Sequence, residues 1–470
     1  MATTDVQQGN IIQNEAINKH DPPGPPPIGS NPIAQLRFGL HVTSDPLNVM
    51  LGWFKQYGDI VHLRFGETAQ VYFLAHPDHF HTVLVEKADQ FHKAGSYKEK
   101  RRGLARILGN GLVTSDGDYW RGQRKLIQPA FHARRIEAYA EEMVRLTQHM
   151  LQSWQDNKTV EVNDAMMRLT LAIVAKTILD TDINADAEKI AEAVTVFQHL
   201  AFGVDLFPLW LPTPSHLKQW QAEKAMNEVV AALIAQRRNM TEDRGDLLSM
   251  LLNSVDEAGQ GMTNQQIRDE IVTLFLAGHE TTANALSWTW HLLAQHPEVE
   301  QKLHEELDSV LRGSVPTLAD LKNLPYTEQV LQESMRLYPP VWNMSRQALA
   351  HVEIGGYIIP QGSEVNLNTY VMHHDPRWWE EPERFVPERF HPEHPSKIPR
   401  MAYLPFSTGP RVCVGNSFAM MEARLILATI ASRYRLSMTG GQRPMQMEPL
   451  IPLRPKGGLS LNVHPRLTAS

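Results

Sequence analysis

The single cysteine of the chain, Cys413, lies in a loop whose residue types suit a thiolate bound to iron. Glycines stand at Gly409 and Gly415, and a glycine lets the backbone approach a flat macrocycle where a side chain would clash. Phe406 could shield the sulfur from water, and Arg411 offers a positive charge to an acidic group of the macrocycle. A helical pattern follows, and a helix N-terminus stabilises a sulfur anion. The alternative, a buried structural cysteine, explains these neighbours poorly.

An acid and a hydroxyl stand side by side at Glu280 and Thr281, in a helical pattern that runs from about Asn264 to His296. A carboxyl beside a hydroxyl can relay protons in a pocket that excludes bulk water. Gly278 precedes them, and because glycine costs about 1 kcal/mol in a helix relative to alanine, it suggests that something sits against this point. The alternative for Thr281 is a hydroxyl bonded to a carbonyl one turn earlier.

The elements that must position these residues are mainly helical. Alternating residues at 59–66 and 69–75 predict two strands with a turn at Gly66. Residues 98–337 instead carry apolar side chains at helical spacing, and strand patterns return at 351–370 and near the C-terminus. The predicted fold class is therefore mainly α with a small β part.

The ends of the chain differ from this body. Residues 1–21 are polar and predict a disordered tail, and residues 22–32 are so rich in proline that a stiff, extended lead-in is expected. The length of 470 residues alone suggests about three domains. Because no repeat or linker follows the lead-in, we predict one large domain over residues 22–470.

Composition and charge exclude several classes of protein. A net charge of −7 argues against a nucleic-acid binder. One cysteine cannot form an internal disulfide, and no apolar run is long enough for a transmembrane anchor. The first twenty residues lack the pattern of a secretory signal. A soluble, cytoplasmic protein is therefore expected.

The cysteine loop, F-S-T-G-P-R-V-C-V-G, resembles the F-x-x-G-x-R-x-C-x-G haem-binding signature of the cytochrome P-450 superfamily. Four other motifs of that family occur in the right order. They are W-x-x-x-R at Trp120–Arg124, [A/G]-G-x-[D/E]-T-[T/S] at Ala277–Thr282, E-x-x-R at Glu333–Arg336 and P-E-R-F at Pro387–Phe390. The resemblance covers roughly residues 22–465 and implies a single domain with haem between the long helix and the cysteine loop.

The resemblance also implies roles for individual residues. Cys413 would be the thiolate ligand of haem b, shielded by Phe406, and Glu280 and Thr281 would deliver protons for oxygen activation. Residues implied to contact the haem propionates are Trp120, Arg124, Arg346 and Arg411, with Lys93 matching some subfamilies. A buried network of Glu333, Arg336 and Arg389 would hold the cysteine loop.

The substrate implied by the resemblance is apolar, such as a fatty acid, a terpenoid or a steroid-like molecule. Residues 201–220 resemble a mobile lid. Predicted wall residues are Leu274, Phe275, Ala277, Val341, Trp342, Met344 and Leu450, each of which could equally be core packing.

The implied activity is a monooxygenase that inserts one oxygen atom from O2 into this substrate. Electrons would come from a separate ferredoxin or flavodoxin with its reductase, because no fused reductase is expected. The docking surface would use Arg121, Arg124, Lys125, Arg134 and Arg135, and the enzyme is expected to be a monomer. Two alternatives stay open, a peroxide-driven haem-thiolate peroxygenase and a non-catalytic haem sensor.

Overall fold

The computed structural model describes residues 21–29, 31–65, 69–99, 103–131, 137–180, 196, 211–239, 246–255, 259–394, 398–440 and 445–466. The chain divides into two compact units. Unit 1 takes the described parts of Met1–Gly95, Trp342–Pro382 and Lys397–Val412, and unit 2 takes those of Ser96–Val341, Glu383–Ser396 and Cys413–Ser470. The division falls inside the cysteine loop.

Helices dominate the described residues, and the strands are short. The helices are α1 (Pro32–Ser44), α2 (Pro46–Tyr57), α3 (Pro77–His81), α4 (Gly95–Lys98), α5 (Ala105–Leu108), α6 (Gly117–Ile127), α7 (Ala140–Leu151), α8 (Val162–Leu179), α9 (Pro214–Arg238), α10 (Leu247–Asn253), α11 (Asn264–Gln295), α12 (Pro297–Leu311), α13 (Pro325–Leu337), α14 (Thr369–His373) and α15 (Asn416–Ala431). The strands are β1 (Ile60–Phe65), β2 (Ala69–Leu74), β3 (Phe91–Lys93), β4 (Thr159–Glu161), β5 (Met344–Ala348), β6 (Val352–Ile354), β7 (Tyr357–Ile359), β8 (Glu364–Leu367), β9 (Tyr434–Met438), β10 (Met447–Pro449), β11 (Leu453–Pro455) and β12 (Ser460–Pro465).

Unit 1 contains a mixed sheet with the strand order β1-β2-β8-β5-β3. β1 and β2 pair antiparallel, β2 runs parallel to β8, and β5 pairs antiparallel with both β8 and β3. Alternate residues of β1, Val61 and Leu63, point into one apolar cluster with Met50 of α2 and Phe73 of β2. The sheet and α2 therefore share the core of this unit.

Unit 2 contains two apolar clusters that meet along the same pair of helices. One cluster takes residues from α7, α8, α11, α12, α13 and α15, and the other takes residues from α5, α6, α8, α9, α10 and α11. Its strands form the sheet β4-β12-β9 and the hairpin β10-β11. Because α8 and α11 contribute to both clusters, α11 lies in the core of unit 2.

The start of α11 follows the predicted capping pattern. The backbone N–H of Gln266 donates to Thr263 Oγ1 at 3.2 Å, and the N–H of Thr263 donates to Gln266 Oε1 at 2.8 Å. The helix then continues for 32 residues, which corresponds to about 48 Å. The expected long central helix is confirmed.

The centre of α11 is continuous, and a neighbouring helix explains Gly278. A Cβ at this position would lie 3.0 Å from Val174 Cγ2 of α8. The hydroxyl of Thr170, also on α8, donates to the carbonyl oxygen of His279 at 2.9 Å. The glycine therefore permits close packing of two helices and does not mark a distortion of the helix.

Several predictions about the fold are confirmed, while other elements went unpredicted. The mainly helical class with a small β part is confirmed, as are β1 and β2 and the strands within 351–370. The helices α1 and α2 and the three-residue strands β3 and β4 were not predicted. The tail at 1–20, Gly66, residues 201–210, Arg134 and Arg135 lie outside the described residues. In the part of the chain that the structure describes, no helix has the length and apolar character to cross a membrane.

Candidate active site

The thiol of Cys413 lies just before α15, in a position that differs from that of a core cysteine. The side chain is exposed, yet desolvation by the surrounding protein raises the pKa of the thiol. The Gly415 backbone N–H and the Arg124 guanidinium act in the opposite direction and lower the thiol pKa. The sulfur is thus accessible but partly desolvated by protein, with two groups that favour its anion.

The structure explains the glycine at one of the two positions in the cysteine loop by protein packing, but not at the other. Gly409, in unit 1, has φ +70°, and a Cβ there would lie 1.9 Å from the carbonyl oxygen of Leu84. Packing against a neighbouring segment therefore requires the glycine at Gly409, and its contact with a macrocycle stays a prediction. A Cβ at Gly415, in unit 2, would meet Phe131 Cε1 at an ordinary 3.7 Å. Protein packing alone therefore does not demand a glycine at Gly415.

The helix α6 supplies Trp120 and Arg124 to unit 2. Trp120 is buried, and Arg124 is half-buried one helical turn further on. Desolvation lowers the pKa of the Arg124 guanidinium, while the nearby Cys413 thiol raises it. The structure thus brings the predicted ligand and one predicted propionate contact into electrostatic range of each other.

A short strip of α11 is accessible although the rest of the helix centre is buried. Between Ile271 and Leu293, every residue is buried except 276–278 and 281, and Ala277 is the most exposed of them. Ala277 and Thr281 are four residues apart and lie on one face. The strip is therefore the accessible part of a helix that otherwise packs in the core.

Thr281 makes the back-bond that was the alternative to a role in catalysis. Its Oγ1 donates to the carbonyl oxygen of Ala277 at 2.7 Å. Because a hydroxyl also has two acceptor lone pairs, the bond fixes the rotamer and leaves the oxygen able to accept a hydrogen bond from the strip. The back-bond is therefore compatible with Thr281 accepting a hydrogen bond at the strip.

Glu280 is buried, although it is the chain neighbour of Thr281 in that strip. Its side chain is only 4% exposed, and Oε1 lies 3.9 Å from Arg454 Nη1 of β11. Arg454 was not predicted as a site residue, since no sequence pattern joins the strand near the C-terminus to the centre of α11. The structure thus adds a cation to the predicted acid–hydroxyl pair.

A second charged cluster of unit 2 joins α13 to the segment around 384–389. Arg336 binds both oxygens of Glu333, with Nε to Oε2 at 2.7 Å and Nη2 to Oε1 at 2.8 Å. The same carboxylate accepts from Arg389 Nε at 3.2 Å and from the Val386 N–H at 3.1 Å. Glu333 and Arg336 are both fully buried. The predicted network of Glu333, Arg336 and Arg389 is present.

The remaining predicted haem contacts lie in unit 1. Lys93 and Arg346 are directly opposed in the antiparallel pair β3-β5, so their side chains share one face of the sheet. Arg346 is buried, and its Nη1 donates to the carbonyl oxygen of Ser345 at 2.9 Å. Phe406 and Arg411 are half-buried in the loop before the cysteine.

The predicted substrate contacts separate into core and accessible positions. Phe275 is fully buried and Leu274 is 6% exposed, and both belong to an apolar cluster of unit 2. In this structure Phe275 is therefore a core residue, because α11 turns it away from the accessible strip. Met344 is buried in β5. Ala277, Val341, Trp342 and Leu450 retain accessible surface.

Unit 2 fits the donor set of a haem-thiolate protein. An accessible sulfur has a cation nearby, and the first glycine after it is not required by protein packing. Within the same unit, an acid and a hydroxyl adjoin an accessible strip of the central helix. A thiolate ligand and a proton-relay pair are the groups that a haem-thiolate oxygenase needs.

Known proteins share this sequence and fold. Residues 22–462 match the cytochrome P-450 family. Cyclooctat-9-en-7-ol 5-monooxygenase of Streptomyces melanosporofaciens is 37% identical over 82% of this chain and 84% of that protein. Pentalenene oxygenase of Streptomyces avermitilis is 32% identical over 94% and 95%. The solved structure of retinoic acid bound cyanobacterial CYP120A1 is similar with a TM-score of 0.83 and 26% identity, covering 95% of this chain and 100% of that one.

This chain belongs to the cytochrome P-450 family. It is an oxidoreductase of the monooxygenase class, and the family implies a haem cofactor. The resemblance read from the sequence motifs is confirmed.

Proposed function

We propose that this enzyme uses haem b and O2 to insert one oxygen atom into an apolar terpenoid, with electrons from a separate ferredoxin or flavodoxin. The observation that carries the proposal is the pairing of a buried acid with an accessible hydroxyl at Glu280 and Thr281. A haem sensor needs a thiolate but no such relay. The haem, when bound, would supply the iron that activates O2.

Residues of this chain would bind the haem iron and the haem propionates. Cys413 would hold the iron as a thiolate, and Arg124 favours that anion. Trp120, Arg124, Arg346 and Arg411 would bind the propionates, with Lys93 beside Arg346 and Phe406 shielding the sulfur.

In the accessible strip of α11, Thr281 Oγ1 would offer a hydrogen-bond acceptor to the reacting molecule, because its own proton is already donated to the carbonyl oxygen of Ala277. The Glu280 carboxyl would be the proton donor to the pocket over the strip, which excludes bulk water.

The proposed substrate class comes from the relatives. Cyclooctat-9-en-7-ol 5-monooxygenase, cyclooctatin synthase and pentalenene oxygenase are similar to this chain over most of its length. The predicted walls Ala277, Val341 and Leu450 are apolar, as are Trp342 and Met344, which favours a hydrocarbon-like molecule. Titration with polycyclic terpenoids, fatty acids and steroids should separate the classes, because a bound substrate shifts the haem spin state. Tighter binding of fatty acids than of every terpenoid tested would contradict the assignment.

Thr281→Ala is expected to uncouple electron use from oxygenation. Loss of the hydroxyl removes the acceptor at the accessible strip, so product formed per reductant consumed should fall by roughly tenfold or more while hydrogen peroxide release rises. Product, reductant and peroxide are measured in the same reaction.

Thr289→Ala is the matched control for that variant. Thr289 also lies on α11 and donates to a carbonyl one turn earlier, at 2.7 Å, but it is fully buried. Coupling should stay at the wild-type value in this variant. Equal coupling in the Thr281→Ala variant and the wild type would remove Thr281 from the relay.

The peroxygenase alternative is tested by supplying peroxide in place of O2 and reductant. Product formed with peroxide alone, at the rate seen with O2 and reductant, would favour the peroxygenase.

Reduction by the partner protein is expected to slow as ionic strength rises. Arg121 and Lys125 are exposed on α6, the helix that carries Arg124 toward the cysteine, and an acidic ferredoxin would be attracted to them. Arg121→Gln should lower the rate of reduction by the partner protein and make that rate less dependent on salt. Arg168→Gln is the control, because Arg168 has a similar exposure and also pairs with an acid on its own helix, α8. A rate that does not depend on salt would contradict electrostatic docking.

A further inference from the structure

The hairpin β10-β11 is fixed to the core of unit 2 at Leu453. The Leu453 N–H donates to the carbonyl oxygen of Pro340 at 3.0 Å, and its carbonyl oxygen accepts from Trp288 Nε1 at 3.1 Å. Trp288 belongs to α11 and stacks on Tyr338 with ring centroids 4.0 Å apart. The backbone next to Arg454 is therefore anchored on α11 and on the segment after α13.

The side chain of Arg454 lies between two carboxyl groups. Its Nε donates to Glu448 Oε2 at 2.8 Å, and Glu448 is its register partner across the hairpin. Its Nη1 lies 3.9 Å from Glu280 Oε1. Exposure falls along this series, from 30% for Glu448 to 12% for Arg454 and 4% for Glu280. A solvent-accessible acid, an arginine and a buried acid thus follow one another into the core.

The geometry distinguishes the two contacts. The contact with Glu448 is a charge-assisted hydrogen bond, which restrains the guanidinium. The contact with Glu280 is an ion pair beyond hydrogen-bond distance, in surroundings that screen charge less than water does. A rotation of the guanidinium would therefore change its distance from the Glu280 carboxyl and, with it, the attraction between the two charges.

We infer that Arg454 is a positioning residue for Glu280, and that Glu448 holds Arg454 in the position that serves it. This inference rests on the proposed role of Glu280 as the acid of the relay. Arg454 attracts the Glu280 carboxyl toward the hairpin and so fixes its orientation. The carboxyl then lies close enough to act as a proton donor but does not fill the space next to Thr281. The hydrogen bond to Glu448 keeps the guanidinium from forming a direct hydrogen bond with Glu280, which would immobilise the acid.

The backbone of the hairpin does not require this arginine. The bonds of Leu453 and the strand pairing place the hairpin by themselves. The predicted wall residue Leu450 lies at the turn between the two strands, so a molecule seated there would press on the element that carries Arg454. Substrate occupancy and the position of the acid would then be linked through one hairpin.

The test is a double-mutant cycle on the haem-loaded enzyme with its reductant system. Arg454→Gln should lower product formed per reductant by roughly five- to tenfold, raise peroxide release and change the solvent deuterium isotope effect on turnover. Arg454→Lys should restore most of the coupling, since it keeps the charge. In the Glu280→Gln background, Arg454→Gln should have no further effect.

The outcomes separate the two proposals. If Glu280→Gln and Thr281→Ala uncouple the enzyme but Arg454→Gln does not, the relay stands and the role of Arg454 is overturned. Independent, multiplying effects of Arg454→Gln and Glu280→Gln would also overturn it. If Glu280→Gln leaves coupling unchanged, the relay fails and Arg454 has no acid to position.

Two further variants test the inference if Arg454→Gln does not fold. Glu448→Gln tests the same arrangement from the exposed end and should alter the isotope effect while haem content stays unchanged. An isotope effect equal to that of the wild type would count against the role given to Glu448. Arg435→Gln removes another arginine that pairs with a buried carboxylate, Glu300, at 3.0 Å, and it should not change coupling.

Discussion

Replacing Cys413 by serine is expected to abolish the strongly red-shifted Soret band of the reduced, carbon-monoxide-bound protein. That band reports electron donation from a thiolate to the haem iron. Cys413 is the single cysteine of the chain, so no other thiol can replace it. Serine is similar in size but its hydroxyl does not ionise at neutral pH, so the spectrum should change completely while the packing changes little.

The measurement is the carbon-monoxide difference spectrum of purified protein with its haem content determined. Ser417→Ala is a suitable control, because Ser417 is exposed in the first turn of the same helix, α15. It should keep the red-shifted band. Retention of the band in Cys413→Ser, or its absence from a folded and haem-loaded wild type, would refute the assignment of the ligand.

Features set by neighbouring residues were predictable from the sequence. The capping box at Thr263 and Gln266, and the pairing of Glu333 with Arg336, depend on residues three positions apart. Local backbone geometry brings such groups together before any tertiary contact forms. The cysteine loop was predictable for a related reason, since its ligand and the start of α15 are adjacent in the chain.

Features set by distant residues were not predictable from spacing. Glu280 meets Arg454 on a hairpin that is held by long-range bonds, among them the bond from Trp288 to Leu453, a residue 165 positions away. Gly278 looked like a weak point in a helix, but it is explained by Val174 on another helix. Strands as short as β3 carry too few residues to show an alternating pattern. The Glu280–Arg454 contact, the glycine at Gly278 and the short strand β3 all depend on contacts between residues that are distant in the sequence.

Removing one member of the Glu333–Arg336 pair is expected to cause the largest loss of stability. Both side chains are fully buried, and the Glu333 carboxylate also accepts from Arg389 and from the Val386 N–H. Glu333→Gln keeps the shape but leaves the Arg336 charge without its carboxylate, so the free energy of unfolding should fall by about 3–5 kcal/mol. Urea unfolding followed by circular dichroism gives this value, and haem content shows whether the cofactor is retained.

The pair between Lys302 and Glu388 is the matched control. It also joins a helix, α12, to the segment at 387–390, but both side chains are partly exposed. Lys302→Gln should therefore cost about 0–1 kcal/mol. A loss of similar size in both variants would mean that burial does not set the energy of the Glu333 network.

The double variant Glu333→Gln, Arg336→Met separates the two sources of that loss. If the cost in Glu333→Gln comes from an uncompensated buried charge, removing the charge as well should recover part of it, because a buried pair replaced by uncharged groups is often tolerated. The Arg336 guanidinium also donates to the carbonyl oxygen of Arg384 at 3.1 Å, so recovery should be incomplete. A double variant less stable than Glu333→Gln would show that bonds to the 384–389 segment, and not charge compensation, make Arg336 indispensable.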